Sequence, residues 1–422
     1  MSTSFSTYGS SIVNKRWHAL RDLAGTDETS IVQGTSYRTA SVHSTLRRAR
    51  KLKTALGVTR IAELTELDRL GVPVFAAVRP EVSQFQITAA QGKGVSVAQA
   101  LASAMLEAVE RHAAAHYSKL TISSIEELRL RGLDALTPEM LGGRSLDSAA
   151  QIEWVEAIRL RTNSRVLVPA ADVVYPYVAP RHIARPFRPS TTGLAAGNST
   201  NEAVLHALFE VIERDAVSRC FVSDWPTLVD TRSIVDQVLV GLVDRIEGSG
   251  IELAILDLSG FAVVPTFKVI GLDPMWQGPQ MIVTGQGAHI DCRIALRRAV
   301  LEFVQSRAVA IQGSREDLSR YQRDWKVDNA DARFQFELIR HTALQKGLSS
   351  PRKTVRPVGG ITKALRLVCS RLLKAGYIDV LYTDLTHDEI QIPVVRVIVP
   401  GMVDSFIDPS RKPKCSDIVV CL

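Results

Sequence analysis

The sequence predicts one large domain of the α+β class, in which mixed β-sheets pack against long helices. The chain has 422 residues, of which 46% are apolar and 23% charged, enough for a sizeable buried core. Strand-like and helix-like segments follow one another from about Gly34 to residue 402, and no Pro-, Gly- or Ser-rich linker divides them. We therefore expect a polar N-terminal tail over residues 1–33, the domain over residues 34–402 and a C-terminal tail over residues 403–422.

The elements follow in order along the chain. Short apolar or alternating runs predict strands at residues 72–78, 164–169, 172–178, 251–258, 263–270, 280–284, 378–384 and 392–399. Longer apolar segments predict three long helices, at about residues 97–117, 201–220 and 294–311. The basic run at residues 46–53 has the spacing of a surface helix, and it lacks the interleaved aromatic residues of a nucleic-acid footprint. The charged, weakly periodic span 313–355 is expected to be a surface excursion.

Composition excludes several classes of protein. No run approaches the roughly 18 consecutive apolar residues of a membrane helix, and the N-terminal residues lack the apolar core of a signal peptide. The five cysteines lack the spacing of a disulfide scaffold or a structural zinc site. A formal net charge of +7 favours anionic ligands but does not establish nucleic-acid binding. We expect a cytoplasmic protein that binds neither membrane nor nucleic acid.

The three long helices carry an approximate internal repeat. Leu106-Glu-Ala-Val-Glu-Arg111 in the first matches Phe209-Glu-Val-Ile-Glu-Arg214 in the second, and Leu301-Glu-Phe-Val-Gln-Ser-Arg307 in the third keeps the first Glu of the motif. Helical geometry groups side chains on one face of each helix within arcs of about 60–80°. These are Ser103, Glu107 and Glu110 on the first helix, Glu202, His206, Glu210 and Glu213 on the second, and Arg298, Glu302 and Gln305 on the third.

These carboxylates stand on helices that are expected to be buried. Between residues 94 and 115 the first helix has only Glu107, Glu110, Arg111 and His112 as ionisable residues, so it is apolar nearly all round. Paired carboxylates in such a place repel each other and are costly without cations. Oxygen ligands without Cys favour Mg²⁺, which commonly binds nucleotide phosphates as well. The alternatives are a solvated Glu–Arg face, or buried ion pairs with arginine and no ligand.

Two glycine-containing loops precede the first two helices and are predicted to approach phosphate closely. They are Gln91-Gly-Lys-Gly94 and the segment 190–200, each followed by a helix N-terminus with free N–H groups. Neither the Gly-x-x-x-x-Gly-Lys-Ser/Thr loop nor a Gly-x-Gly-x-x-Gly fingerprint after a strand occurs, which excludes P-loop and Rossmann nucleotide sites. His-Glu-x-x-His and Gly-x-Ser-x-Gly are also absent, which removes two common hydrolase classes.

The combination of motifs resembles the YcaO family. Gly197-Asn-Ser-Thr-Asn-Glu202 and the segment 207–215, with Ser103–Arg111 and Arg298–Arg307, are similar to that family's nucleotide-binding core, and the resemblance covers about residues 34–402. It implies a single YcaO-like domain with its ATP site where the Glu-bearing helices converge. It also implies an ATP- and Mg²⁺-dependent enzyme that phosphorylates a backbone amide oxygen of a peptide or protein after a nucleophile has added to the carbon. A Cys, Ser or Thr of the substrate gives an azoline, and a sulfur donor gives a thioamide.

The resemblance also assigns roles to individual residues. The implied Mg²⁺ ligands are Glu107, Glu110, Glu202 and Glu213. The implied ATP-binding residues are Arg38, Thr45, Ser103, Asn198, Glu210, Arg214, Arg298 and Glu302. The implied catalytic residues are Glu110, Glu213, Arg214 and Arg298.

Azoline-forming members of the family often end in Pro-x-Pro-x-Pro, whereas this chain ends Lys412-Pro-Lys-Cys-Ser-Asp-Ile-Val-Val-Cys-Leu422. The difference favours thioamide formation with a TfuA-type sulfur-delivery partner. Azoline formation with a leader-peptide-binding partner stays open, as does a homodimer. Two other functions compete: a non-catalytic accessory factor that keeps the fold, and an ATP-dependent ligase of the glutamine-synthetase type.

Overall fold

The structure is a computed structural model, which describes residues 31–33, 36–83, 85–220, 222, 224–276, 281–313, 316, 329–351 and 359–411. The described helices are α1 (Val42–Lys51), α2 (Val97–Ala115), α3 (Ile125–Leu130), α4 (Thr200–Arg219), α5 (Gln237–Gly248), α6 (Cys292–Gln312), α7 (Asn329–Lys346) and α8 (Ile361–Lys374). The described strands are β1 (Ile31–Gln33), β2 (Ser36–Arg38), β3 (Arg60–Glu63), β4 (Val74–Val78), β5 (Ala89–Lys93), β6 (Thr121–Ser123), β7 (Ile152–Arg159), β8 (Arg165–Pro169), β9 (Leu194–Ala196), β10 (Thr227–Val229), β11 (Glu252–Asp257), β12 (Thr266–Leu272), β13 (Ile282–Ala288), β14 (Leu348–Ser349), β15 (Leu381–Asp384) and β16 (Val394–Ile398).

Three strand–helix units form the centre of the fold: β5–α2, β9–α4 and β13–α6. Each helix begins at a capping side chain, Ser96, Ser199 or Asp291, which accepts a hydrogen bond from a backbone N–H of the first turn. These are the three long helices predicted from the sequence, and their ends lie within two residues of the predicted ones.

Each of these helices packs on a different sheet. Helix α2 lies on the three-stranded sheet β3-β4-β5 and α6 on the sheet β13-β12-β11-β10-β14. Helix α4 lies on β16 and β9, at one edge of the sheet β6-β7-β15-β16-β9, to which β8 is joined through β7. Sixteen of the twenty residues of α4 are buried, including Glu202 and Glu213. The predicted α+β architecture of mixed sheets and long helices is therefore observed.

Glycine lets the strands approach the helices closely. A Cβ atom on Gly92 of β5 would lie 2.1 Å from the backbone nitrogen of Ala104 in α2, and one on Gly197 would lie 2.5 Å from that of Ala203 in α4. The sequence predicted that these glycines would admit phosphate, whereas here they admit a helix backbone. Residues 91–93 belong to strand β5, so the prediction of a loop there was wrong.

The predicted strand at residues 172–178 was also wrong. The backbone turns there, because Val174 N–H donates to the carbonyl of Ala170, and Tyr175 N–H donates to that of Ala114 at the end of α2. The side chains of Val173 and Val174 are buried in the core beside α2. The apolar pattern thus reflects a buried loop.

The span predicted as a charged surface excursion contains an additional helix. Within it, α7 buries Ala332, Phe336 and Ala343 in the core, and β14 pairs in parallel with β10. Only a narrow stripe of α7 is buried, while Phe334 is 66% exposed, which explains the weak periodicity of the sequence.

Contacts also occur outside residues 34–402, the predicted limits of the domain. Strand β1, which pairs with β2, lies before residue 34, where the domain was predicted to begin. At the other end, Val403 N–H donates to Asp215, and Arg411 forms a buried ion pair with Asp172. The rest of the two predicted tails, residues 1–30 and 412–422, lies outside the described residues. Within the described ranges, no helix has both the length and the apolar character that crossing a bilayer requires.

Candidate active site

Two adjoining cavities of about 260 and 180 Å³ lie where α2, α4 and α6 converge. Both are lined by Lys93, Glu107, Glu110, His206 and Arg298. Ten of the twelve residues that the sequence assigned to the site line one or both cavities. These ten are Arg38, Thr45, Ser103, Glu107, Glu110, Glu210, Glu213, Arg214, Arg298 and Glu302.

The strand of one unit holds the carboxylate of another. The backbone N–H of Ala196, at the end of β9, donates to Glu110 of α2 over 2.7 Å. The backbone N–H of Ala288, at the end of β13, donates to Glu213 of α4 over 3.1 Å. These contacts fix the two carboxylates at the meeting point of the units without neutralising their charge.

Lys93, at the end of β5, makes the third contact between the units, because its Nζ lies 2.9 Å from Glu302 of α6. Each of the three units therefore reaches the carboxylate of a neighbouring unit. Lys93 is not among the site residues predicted from the sequence. The signal was present, since Lys93 stands in the Gln91–Gly94 segment singled out for anion contact.

Glu110 is the most strongly perturbed acid of the site. Burial, followed by the nearby charges of Glu107 and Glu210, raises the pKa of Glu110 to about 8, although the N–H of Ala196 opposes the shift. No Arg or Lys of the described residues lies within 4.0 Å of its carboxylate. A cation other than a protein side chain is what would keep Glu110 ionised at neutral pH.

Glu213 and Glu302 share a cation but differ in environment. Burial and the charge of Glu302 raise the pKa of Glu213 to about 7, with Arg214 opposing from 3.7 Å. For Glu302, burial is outweighed by Lys93 and Arg214, which hold its pKa below the usual range. Because Glu302 contacts Lys93 directly, a proton binds more readily to Glu213 than to Glu302.

Arg214 is the central cation. Its guanidinium lies 3.7 Å from Glu213, 3.7 Å from Glu302 and 3.9 Å from Glu210, and these charges outweigh burial to raise its pKa. Glu210 accepts a hydrogen bond from the N–H of Gly193 over 3.1 Å, and burial raises the pKa of Glu210. At these separations Arg214 spreads its charge over several acids and leaves space for a ligand between them.

Arg298 has no carboxylate partner among the residues that the structure describes. Its terminal nitrogen lies 2.9 Å from Nδ1 of His206, and no acid of the described residues lies within 4.0 Å of it. Burial, and then the charge of Arg298, lowers the pKa of His206 well below its ordinary value, so the imidazole is neutral and its Nδ1 accepts. A guanidinium held by a neutral imidazole beside a cavity is suited to binding an anion.

Glu107 and Glu202 are held by the protein itself. Glu107 accepts from the backbone N–H of Gln91 over 2.6 Å and from Arg111 over 2.6 and 2.9 Å. Glu202 accepts from Arg38 over 2.9 Å and from the backbone N–H and hydroxyl of Thr39 over 2.8 Å each.

Asn198 and Glu202 are the two assigned residues that line neither cavity. The amide of Asn198 donates to Glu202 over 3.0 Å and accepts from the hydroxyl of Thr45 over 2.8 Å. Both residues therefore contact side chains that do line the cavity, Glu202 through Arg38 and Asn198 through Thr45. The assignment of Glu202 as a metal ligand stays a prediction.

The charge balance of the site leaves room for a divalent cation. Six carboxylates (Glu107, Glu110, Glu202, Glu210, Glu213 and Glu302) face five basic groups (Arg38, Lys93, Arg111, Arg214 and Arg298). Across the described part of the chain, no three His, Cys, Asp or Glu side chains stand close enough to enclose a metal ion. Mg²⁺ suits such a site, because it commonly binds one or two carboxylates and completes its shell with water and phosphate oxygens. Glu110 and Glu213 fit best, since within the described residues Glu110 has no Arg or Lys within 4.0 Å and Glu213 is 3.7 Å from Arg214, longer than a hydrogen-bonded ion pair.

Residues 91–403 match the model of a family described as YcaO cyclodehydratase, ATP- and Mg²⁺-binding. An uncharacterized protein of Methanothermobacter thermautotrophicus is 36% identical over 364 residues, which cover 84% of this chain and 92% of that protein. A Rhizobium leguminosarum bv. trifolii protein, described as uncharacterized and in the tfuA 3′ region, is 32% identical over 82% of this chain and 84% of its own length. The structure of YcaO from Methanopyrus kandleri bound with AMPPCP and Mg²⁺ has 30% sequence identity and a TM-score of 0.72, and it aligns with 92% of this chain and 98% of that one.

Proposed function

This chain belongs to the YcaO family, and from that premise we propose that it phosphorylates a backbone amide oxygen of a peptide or protein at the expense of ATP. The family, the fold class and the cofactors ATP and Mg²⁺ are confirmed as predicted from the sequence. The proposal concerns the substrate and the product.

In the proposed reaction a nucleophile adds to the amide carbon and the amide oxygen takes the γ-phosphoryl group of ATP. The C–O bond then breaks, so the oxygen leaves as part of inorganic phosphate, and ADP is the second product. With sulfide as nucleophile the product is a thioamide. With a Cys, Ser or Thr side chain of the peptide it is an azoline.

The observation that carries the proposal is the convergence of buried acids from three helices on one cavity that also contains Lys93, Arg214 and Arg298. Glu110 and Glu213 would hold Mg²⁺, which would supply positive charge to neutralise the phosphate oxygens of ATP. The three basic side chains are placed to neutralise charge on the phosphoryl group, and this electrostatic support is the main requirement of phosphoryl transfer.

The described cysteines support an external nucleophile. Cys220, Cys292 and Cys369 are buried, and burial raises the pKa of each thiol to about 12, so they are unreactive at neutral pH. None of the three lines the cavities. The attacking group is therefore proposed to come from the substrate or from a sulfur donor.

We place thioamide formation first, with a TfuA-type protein as the sulfur-delivery partner. Its support is the relative in the tfuA 3′ region, which aligns with most of this chain. Azoline formation is the second candidate, because the family description is that of a cyclodehydratase.

The test is mass analysis of peptides encoded beside the gene, incubated with the protein, Mg·ATP and sulfide, with and without the TfuA-type protein. Exchange of one oxygen for sulfur indicates a thioamide, whereas loss of one water indicates an azoline. The Arg298→Met variant, which removes a cavity cation, should form neither product. If no peptide changes in mass and none stimulates ATP hydrolysis, the proposal fails and the accessory-factor hypothesis takes its place.

A further inference from the structure

A further cavity, of about 560 Å³, lies at the C-terminal end of α2. It shares no lining residue with the two cavities of the ATP site. His116, in its wall, follows Glu107 by nine residues, which is about 13 Å along a helix axis. His112 and Glu110 point to different sides of α2, since two residues are about 200° apart on a helix. This cavity is therefore a separate feature of the surface.

Arg79 is the unusual group in its wall. The side chain is 3% exposed, and its Nε donates to the carbonyl of Leu56 over 2.9 Å. Its terminal NH1 is buried, with no hydrogen-bond partner in the described part of the chain, and no carboxylate there lies within 4.0 Å of the guanidinium. Burial, and then the charge of Arg111, lowers the pKa of Arg79 to about 10, so it is still charged at neutral pH.

A buried charge without a partner costs free energy, and folded proteins usually pair such groups. The hydrogen bond to Leu56 uses one of the five N–H donors of the guanidinium. Its fork of terminal nitrogens matches the two oxygens of a carboxylate. Arg79 lines the cavity, so a ligand that enters the cavity from outside the chain is the partner that fits.

The other ionisable groups of the wall are His112, His116 and Glu81. The two histidine rings stack with centroids 4.1 Å apart, and His387 meets the ring of His112 edge-on at 5.4 Å. Glu81 is exposed to water, which screens its charge. Arg79 therefore gives the buried part of this wall a permanent positive charge.

We propose that this cavity binds a carboxylate attached to an apolar group, such as the C-terminus or an acidic side chain of a peptide. The charge of Arg79 balances one carboxylate, whereas a phosphate would leave a second charge uncompensated beside Glu81. The apolar side chains of Leu56, Phe85 and Val178 also line the cavity and would contact the hydrocarbon next to the carboxylate.

The test uses calorimetric titration of the full chain with Mg²⁺ and a non-hydrolysable ATP analogue at saturation, so that the ATP site is filled. The probes are N-acetyl-leucine for a C-terminal carboxylate, N-acetyl-glutamyl-leucine amide for an acidic side chain, and N-acetyl-leucine amide as the uncharged control. We expect at least one acid to bind at least tenfold more tightly than the uncharged amide. Equal binding of all three probes, or no saturable binding of either acid, overturns the proposal.

Two variants locate the binding. Arg79→Met should weaken the acid that binds at least tenfold, and Arg165→Met, an exposed arginine elsewhere, should leave it unchanged. Because Arg79→Met also removes the donor to Leu56 and could impair folding, Ala115→Phe serves as a second test: it fills the cavity from the end of α2 and keeps Arg79. Wild-type affinity in a folded Ala115→Phe protein would place the binding elsewhere and refute the assignment.

Discussion

Replacing Glu110 with Gln should raise stability and abolish ATP turnover together. The pKa of Glu110 is raised from 4.5 to about 8, so the folded protein holds this proton more tightly than the unfolded chain does. By linkage, the wild-type protein then loses stability as pH rises from about 4.5 to about 8. At pH 7, which is 2.5 pH units above the ordinary pKa of 4.5, the raised pKa lowers the unfolding free energy by about 3 kcal/mol. This is an upper value, because water in the cavity lowers the cost of burying the charge. Gln can accept the same hydrogen bond from Ala196 without that cost.

The assay is urea denaturation in EDTA without nucleotide, at pH 7 and pH 5. We expect Glu110→Gln to be more stable than wild type by up to about 3 kcal/mol at pH 7, and by about 1 kcal/mol at pH 5, where the wild-type acid is mostly protonated in the folded state. Mg²⁺-dependent ATP hydrolysis should be lost in the same variant. The exposed Glu66→Gln should change neither quantity. If the Glu110→Gln protein is less stable than wild type at pH 7 and hydrolyses ATP normally, Glu110 is a structural residue and not a metal ligand.

Three further predictions concern the surroundings of the site. Lys93→Met should weaken ATP binding at least tenfold in calorimetric titration, because it removes a cavity cation and the close partner of Glu302; an unchanged affinity would exclude phosphate contact by Lys93. Gly92→Ala should lower the melting temperature measured by circular dichroism, because its Cβ would lie 2.1 Å from the backbone of α2; a wild-type melting curve would argue against this packing. Arg38→Met should lower the unfolding free energy by about 3–5 kcal/mol in urea, since it leaves Glu202 buried without its cation. An equal loss in Arg38→Lys would point to geometry as the cause rather than to charge.

The long helices were predictable because their signal is local. Helices α2, α4 and α6 are rich in apolar residues, and their acids recur at a helical spacing, so the sequence could give both their extent and the side chains that share a face. Convergence of those faces on one cavity came from the family resemblance. Spacing along one helix contains no information about a second.

The partners of the acids could not be predicted in the same way. Backbone N–H groups of Ala196 and Ala288 hold Glu110 and Glu213, and a backbone donor leaves no mark in a sequence. The sequence predicted Lys93 in a loop. In the structure it ends β5 and lies 2.9 Å from Glu302.

Two segments, residues 172–178 and helix α7, were predicted incorrectly from their apolar patterns. The apolar run at residues 172–178 is buried as a loop, whose backbone groups bond to a turn and to the end of α2 rather than to a neighbouring strand. Helix α7 was missed for a different reason, because its buried stripe is narrow and its exposed surface mixes charged residues with apolar ones such as Phe334. Both errors arise because tertiary contacts decide where a short or weakly patterned segment finds its partners.

We propose that Glu110 and Glu213 remain charged in their buried site because they would share a divalent metal with the phosphates of ATP. Anomalous diffraction from crystals grown with Mn²⁺ and a non-hydrolysable ATP analogue tests it most directly. We expect a manganese peak within bonding distance of one of these two carboxylates and of phosphate oxygens. Bound nucleotide with no manganese at either carboxylate, its phosphates contacted by Arg214, Arg298 and Lys93 alone, would contradict it.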